Sequence, residues 1–307
     1  MEVYLPIAEM SVDVSVLFGL GAIVGFLSGL LGITGGFLMT PILIFIGIPA
    51  PVAVASQSNQ LIASSISGVI AYGRLGRVDY RIGVGLLAGG LLGSLFGVWI
   101  FSVLKRIGQI DIFISFSYVI LLGIIGASML FESIKTVLKV NNLLPEAILQ
   151  KEQHPWIKNL PYQKYFPRAR MEISLIALLV TGFVVSFFLA MIGVGSIIMV
   201  PALIYILRIP ILLVPGTSLF QAVFIASSVT LLHAITNQTV DVVLALFLLL
   251  GGIIGTPLGS QMSHRFRSEY LRLFLALILL GFCSKLVYDL VAQPKSLYTV
   301  VTYGVDD

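Results

Sequence analysis

Charge is what this sequence has least of. Of its 307 residues only 10% are Asp, Glu, Lys or Arg, while 58% are hydrophobic. Soluble domains carry about 25% charge, so composition excludes an ordinary soluble protein. Cys283 is the one cysteine, which excludes an internal disulfide, a zinc-thiolate site and paired redox cysteines. Histidine is sparse and there is no phosphate-binding loop, so neither a cofactor nor a metal site is expected. The net charge of +4 is concentrated in loops and reads as a topology signal, not as a nucleic-acid footprint. The first residues carry Glu2, Glu9 and Asp13 without a basic region, so no cleaved signal peptide is expected.

Apolar length is what the chain has in abundance. Long apolar runs occupy 12–31, 52–73, 81–104 and 112–134, with a short one at 37–48. After a polar, basic stretch the pattern restarts at 173–192, a short 197–207, 211–235, 241–262 and 270–291. A bilayer helix needs about 20 apolar residues, and the two short elements reach only about 18 Å against a hydrocarbon core of about 30 Å. An all-α polytopic membrane protein follows.

The two halves are homologous. Ile48-Pro49 matches Ile209-Pro210, Ser56 matches Thr217, Gln60 matches Gln221, and Val78-Asp79 matches Val240-Asp241. Gly89-Gly90-x-x-Gly93-Ser94-x-x-Gly97 matches Gly251-Gly252-x-x-Gly255-Thr256-x-x-Gly259. The expected division is an N-terminal transmembrane repeat at 1–135, a basic cytoplasmic connecting segment at 136–171, a C-terminal repeat at 172–292 and a polar tail at 293–307. Loop charge favours inverted repeats of five helices each, with a short or broken second helix. Arg74, Arg77, Arg81 and Arg208 then fall inside with the central loop, and Thr236–Thr239 falls outside. Lys105 and Arg106 disagree. The alternative is eight full spans plus two re-entrant segments.

Function is expected where the helices break. Gly32-Ile33-Thr34-Gly35-Gly36, followed by Pro41, interrupts one apolar run; Gly193-Val194-Gly195-Ser196, followed by Pro201, interrupts another. Glycine costs roughly 1 kcal/mol against alanine inside a helix. A broken helix leaves N–H groups that are tolerable in a membrane only if they face protein, water or ligand. Beside the breaks stand Ser56, Gln57, Asn59 and Gln60 in one half and Thr217, Ser218 and Gln221 in the other. A two-fold axis in the membrane plane is expected to bring Ser56 to Thr217 and Gln60 to Gln221.

The candidate substrate-binding residues are therefore Thr34, Gly35, Gly36, Ser56, Gln57, Asn59, Gln60, Gly193, Gly195, Ser196, Thr217, Ser218 and Gln221. Free N–H groups, the positive end of a helix dipole and neutral donors suit a small anion. No Asp or Glu lies deep in the expected spans to neutralise a cation. A sodium ion held by carbonyls at the breaks is the alternative, and a coupling proton or sodium ion is a possible partner. His233, aligned with Tyr72, is a candidate for coupling, with an interfacial role as the plainer reading. Arg208 is a candidate for gating at the cytoplasmic mouth, with a snorkelling anchor as the plainer reading. The glycine ladders read as packing faces.

The glycine break with its proline, the Ser/Gln-rich third helix, the segment Gly73-Arg74-Leu75-Gly76-Arg77-Val78-Asp79 and the Gly-Gly-x-x-Gly-x-x-x-Gly helix together resemble the sulfite exporter TauE/SafE family. The resemblance covers about 12–134 and 173–290. It implies a non-enzymatic transporter in the cell membrane that moves sulfite, sulfonates or related small organic anions. That family's triple glycine departs here at Thr34, Val194 and Ser196. The competing readings are an intramembrane enzyme and a non-transporting assembly or signalling protein docking through 136–171.

Overall fold

The computed structural model describes residues 2–31, 36–138, 161–262 and 268–292. Each half opens with a small β-hairpin. Strands β1 (Glu2–Leu5) and β2 (Met10–Asp13) pair antiparallel, as do β3 (Gln163–Phe166) and β4 (Met171–Ser174). The two turns, Pro6–Glu9 and Pro167–Arg170, match residue for residue down to positive φ at Glu9 (52°) and Arg170 (52°). The all-helical expectation left these hairpins out, and the second one straddles the boundary drawn at 171. After β2, the Asp13 carboxylate accepts the hydroxyl and the N–H of Ser15 at 2.8 and 3.0 Å, and both bonds hold its pKa below the ordinary value.

The helices are α1 (Val14–Leu31), α2 (Gly36–Ile46), α3 (Ala50–Arg74), α4 (Tyr80–Ile107) and α5 (Ile110–Leu138) in the first half. The second half holds α6 (Leu175–Ile192), α7 (Gly195–Pro201, continued by a π-helical turn at Ala202–Ile206), α8 (Val214–Leu232, continued likewise over His233–Asn237), α9 (Val242–Met262) and α10 (Ser268–Val291). Among the described residues six helices are long and apolar enough to cross a membrane: α4, α5, α6, α8, α9 and α10. Helix α3 has 25 residues, but its serines and glutamines lower its hydropathy. The short α2 and α7 each carry an internal proline, Pro41 and Pro201.

The halves interlock instead of standing side by side. Helix α1 packs along α9, and α4 along α6, so each pair joins one half to the other. Glycine makes both contacts possible. A methyl group on Gly255 would lie 2.1 Å from the Ala22 carbonyl oxygen, and one on Gly259 would lie 2.0 Å from that of Phe26. In the other pair, methyls on Gly89 and Gly93 would lie 1.9 and 2.1 Å from the carbonyl oxygens of Leu179 and Phe183. Backbones approach this closely only where no Cβ intervenes, and in lipid such contact drives helix association. In both ladders the residue numbers rise together, so the paired helices run parallel.

Helix α3 crosses antiparallel to α8. Its C-terminal end meets the start of α8, where a methyl on Gly216 would lie 2.4 Å from the Arg77 carbonyl oxygen. Two faces result. One gathers the first hairpin and the starts of α1, α3 and α9. The other gathers the second hairpin and the starts of α4, α6 and α8, with Arg74, Arg77, Arg81, Arg168, Arg170 and Arg208. We refer to the latter as the arginine face.

Candidate functional site

The two helix breaks meet at one side chain. Helix α6 ends on Gly193, whose φ of +77° is the left-handed conformation that glycine adopts without strain. Gln57, two turns into α3, donates from Nε2 to the Gly193 carbonyl at 3.0 Å. That bond fixes the amide orientation, because the reverse would set two oxygens against each other. Gln57 Oε1 is therefore aimed at the first break: it lies 2.8 Å from where a methyl on Gly36 would sit, and it is buried without a hydrogen-bond partner. Thr40 of α2 borders the same point, 3.4 Å from a methyl on Gly193. Tyr118 of α5 donates to the Ile192 carbonyl at 2.6 Å and holds the end of α6 from behind. Thr40 is a lone polar residue in an apolar run and Tyr118 stands in an apolar helix beside Ser115 and Ser117, with nothing local to mark either one.

A small pocket adjoins this junction, between α3, α6, α7 and α8. Gly195, Ser218 and Gln221, three of the expected residues, line it together with Ser186 and the apolar Leu61 and Leu189. Gln221 Nε2 donates to Ser186 Oγ at 3.1 Å, and Ser218 Oγ donates to the Pro215 carbonyl at 2.9 Å. Apolar walls with a few fixed polar groups are typical of small-molecule sites. A methyl on Gly195 would lie 2.6 Å from Leu189 Cβ.

The remaining candidates are placed as follows. Thr34 and Gly35 lie outside the described residues, and Ser196 stands in the first turn of α7. Asn59 Nδ2 donates to the Ser56 carbonyl at 3.3 Å. Gln60 and Gln221 take equivalent but separate positions. Gln60 donates to the Gly21 carbonyl at 3.2 Å and packs on Gly252, while Gln221 packs on Gly90, the matching glycine of α4. Ser56 and Thr217 are not brought together. Ser56 Oγ accepts the N–H of Asp241 and Thr217 Oγ1 that of Asp79, each at 3.0 Å and at opposite faces.

Those two aspartates are buried N-caps. Asp79 Oδ1 accepts from the N–H groups of Arg81 and Ile82, and Asp241 Oδ1 from those of Val243 and Leu244. The repeated Val-Asp in the sequence marked the pair, but only as a sign of duplication. They differ in the second oxygen. Asp241 Oδ2 accepts the Ile7 N–H of the first hairpin at 2.9 Å, whereas Asp79 Oδ2 is buried without a partner. Arg168, the counterpart of Ile7, instead donates its guanidinium to the Val78 carbonyl.

His233 is buried inside a closed network. Its Nε2 lies 3.0 Å from the Ala190 carbonyl and its Nδ1 3.0 Å from Asn237 Nδ2. The carbonyl can only accept and the amide nitrogen can only donate, so the ring is the neutral Nε2–H tautomer. Ser102 and Lys105 of α4 complete the network on Asn237 at 2.6 Å each. Arg208 sits in the turn after α7 at the arginine face, with φ +53°.

Residues 17–286 match the family described as Sulfite exporter TauE/SafE. A probable membrane transporter protein of Xylella fastidiosa (strain 9a5c) is 30% identical over 83% of this chain and 86% of its own length. The probable membrane transporter proteins YjnA and YunE of Bacillus subtilis (strain 168) are 26% and 24% identical. The matches cover 87% and 89% of this chain, and 97% of each relative. No solved structure matches the chain significantly.

Proposed function

The chain belongs to the sulfite exporter TauE/SafE family and is a multi-pass membrane protein akin to membrane transporters, and from that premise we propose that it is a secondary transporter of small anions. Sulfite, sulfonates and related carboxylates are its substrate class, and the plasma membrane is its location. The observation that carries this reading is the junction of both breaks at Gln57, with a pocket beside it lined by Gly195, Ser218 and Gln221. Helix α2 presents its N-terminal turn there, with the unpaired Thr40 hydroxyl beside it. The apolar walls suit an organic body, and the polar points suit one anionic head. Gln57 Oε1, an acceptor without a partner, fits a ligand that also brings a proton, such as hydrogen sulfite. His233, the one histidine among the described residues, commits both ring nitrogens to structural bonds, which favours carriage over catalysis.

An inverted arrangement of five plus five helices supplies the alternating access. In its favour, α1 starts beside Asp241 at one face, through the Ile7 bond. Its counterpart α6 starts beside Val78 at the other, through Arg168. The arginine face is then cytoplasmic by the charge rule. Uptake of labelled sulfite, sulfoacetate and simple carboxylates into proteoliposomes tests the proposal. Saturable uptake of at least one of them is expected. Liposomes that take up none of the three any faster than protein-free controls would overturn it.

A further inference from the structure

A second small pocket opens toward the arginine face between α1, α3, α8 and α9. Its lining is unlike that of the first. Ser28, Ser64, Ser67, Tyr72, Thr256 and Ser260 line it, with the Ser64 and Ser260 hydroxyls donating to the carbonyls of Leu61 and Pro257, and none of its lining residues is acidic. Thr256 Oγ1 is buried without a hydrogen-bond partner, and the whole residue is 5% exposed. A buried hydroxyl left unpaired is costly unless something satisfies it in use.

The void is not a gap that the fold repeats at both ends. At the opposite face the equivalent place is filled, because His233, the counterpart of Tyr72, bonds to the carbonyl of Ala190, the counterpart of Gly29. At the arginine face Tyr72 and Gly29 instead border open space. The surroundings are cationic. Arg74 ends α3 just beyond Tyr72, and the Arg77 N–H donates to the Tyr72 carbonyl at 2.9 Å, so that residue is anchored at the pocket's edge.

We propose that this hydroxyl-lined pocket is a separate oxyanion station, in which Thr256 and Tyr72 donate hydrogen bonds to a small oxyanion drawn in by the arginines of that face. It rests on the anion-transport reading and adds a site distinct from the break at Gln57. The Thr256 and Tyr72 hydroxyls are adaptable donors: each can turn its proton toward an oxyanion, whose oxygens each accept several bonds. Without a carboxylate, a desolvated cation would find no counter-charge here, and the arginines would repel it.

The experiment uses the full-length purified protein, titrated calorimetrically with sulfite supplied as its choline salt. Thr256→Val removes a hydroxyl that has no partner in the chain, so thermal stability should hold while sulfite binding weakens about five- to tenfold. Tyr72→Phe, which keeps the half-buried ring, should act in the same direction. Native affinity in both folded variants would overturn the station, as would sulfite binding that appears only when sodium replaces choline. A third variant, Gln57→Met, separates the two readings. If it binds as wild type while Thr256→Val is weakened, the station stands and the central site does not. If the wild-type protein binds no sulfite, both fall.

Discussion

The hydroxyl of Ser56 accepts the backbone N–H of Asp241 from 185 residues away, at 3.0 Å in the buried core. Its repeat-mate Thr217 does the same for Asp79. Each half thus caps the start of a helix that belongs to the other half. Ser56→Ala should leave a buried N–H unpaired and destabilise the protein by about 1–3 kcal/mol. Thr217→Val should do likewise. Thermal unfolding in detergent checks this, and an unchanged midpoint in both variants would show that the bonds contribute nothing.

Asp241 uses both carboxylate oxygens while Asp79 leaves one unpaired. Asparagine at position 241 must turn an NH₂ group either toward Ile7 N–H or toward the capped N–H groups. Asp241→Asn should therefore cost on the order of 1–3 kcal/mol, and Asp79→Asn clearly less. Equal losses in the two variants would contradict the asymmetry.

The glycine ladders make a sharp contrast possible. Gly93→Ala sets a methyl 2.1 Å from the Phe183 carbonyl oxygen, and Gly255→Ala sets one equally close to that of Ala22. Neither backbone can yield without separating the paired helices, so folded yield should collapse. Gly281→Ala, with nothing within 4 Å, should be neutral or stabilise α10 by up to about 1 kcal/mol. Size-exclusion profiles of the three variants decide the matter.

Much of this was legible in the sequence, and the reason is locality. An apolar run and the glycines and prolines that stop it are neighbours in the chain, so the expected spans lie within a few residues of the observed helices, the short α2 and α7 included. The hairpins were missed because four-residue strands in polar surroundings carry almost no periodic signal. Pro6 and Pro167, with Ala8 and Ala169, could have shown that the repeat extends into them. What no local pattern could supply is partnership. Ser56 and Asp241 were each noted, but their meeting is tertiary. Gln57 stands opposite Gly193, while its counterpart in the repeat is Ser218, so symmetry gave no hint of the contact.

The orientation of the two faces can be read by chemical labelling. With Cys283→Ser as background, a cysteine at Gln238 should react with an impermeant thiol reagent added outside intact cells. One at Leu75, exposed at the arginine face, should not. Labelling of both from the same side would contradict the inverted arrangement.

The central claim is that the anion sits where the two breaks meet at Gln57. Gln57→Met keeps the side chain's length and apolar stem while deleting the unpaired oxygen and the bond to Gly193, whose carbonyl then lacks its donor, so a loss of about 1–3 kcal/mol is expected. Sulfite affinity and thermal midpoint, measured on the same purified variant, form the most direct test. The account predicts binding weakened about tenfold in a protein that still folds, with a lowered midpoint; native affinity in a folded Gln57→Met protein would contradict it.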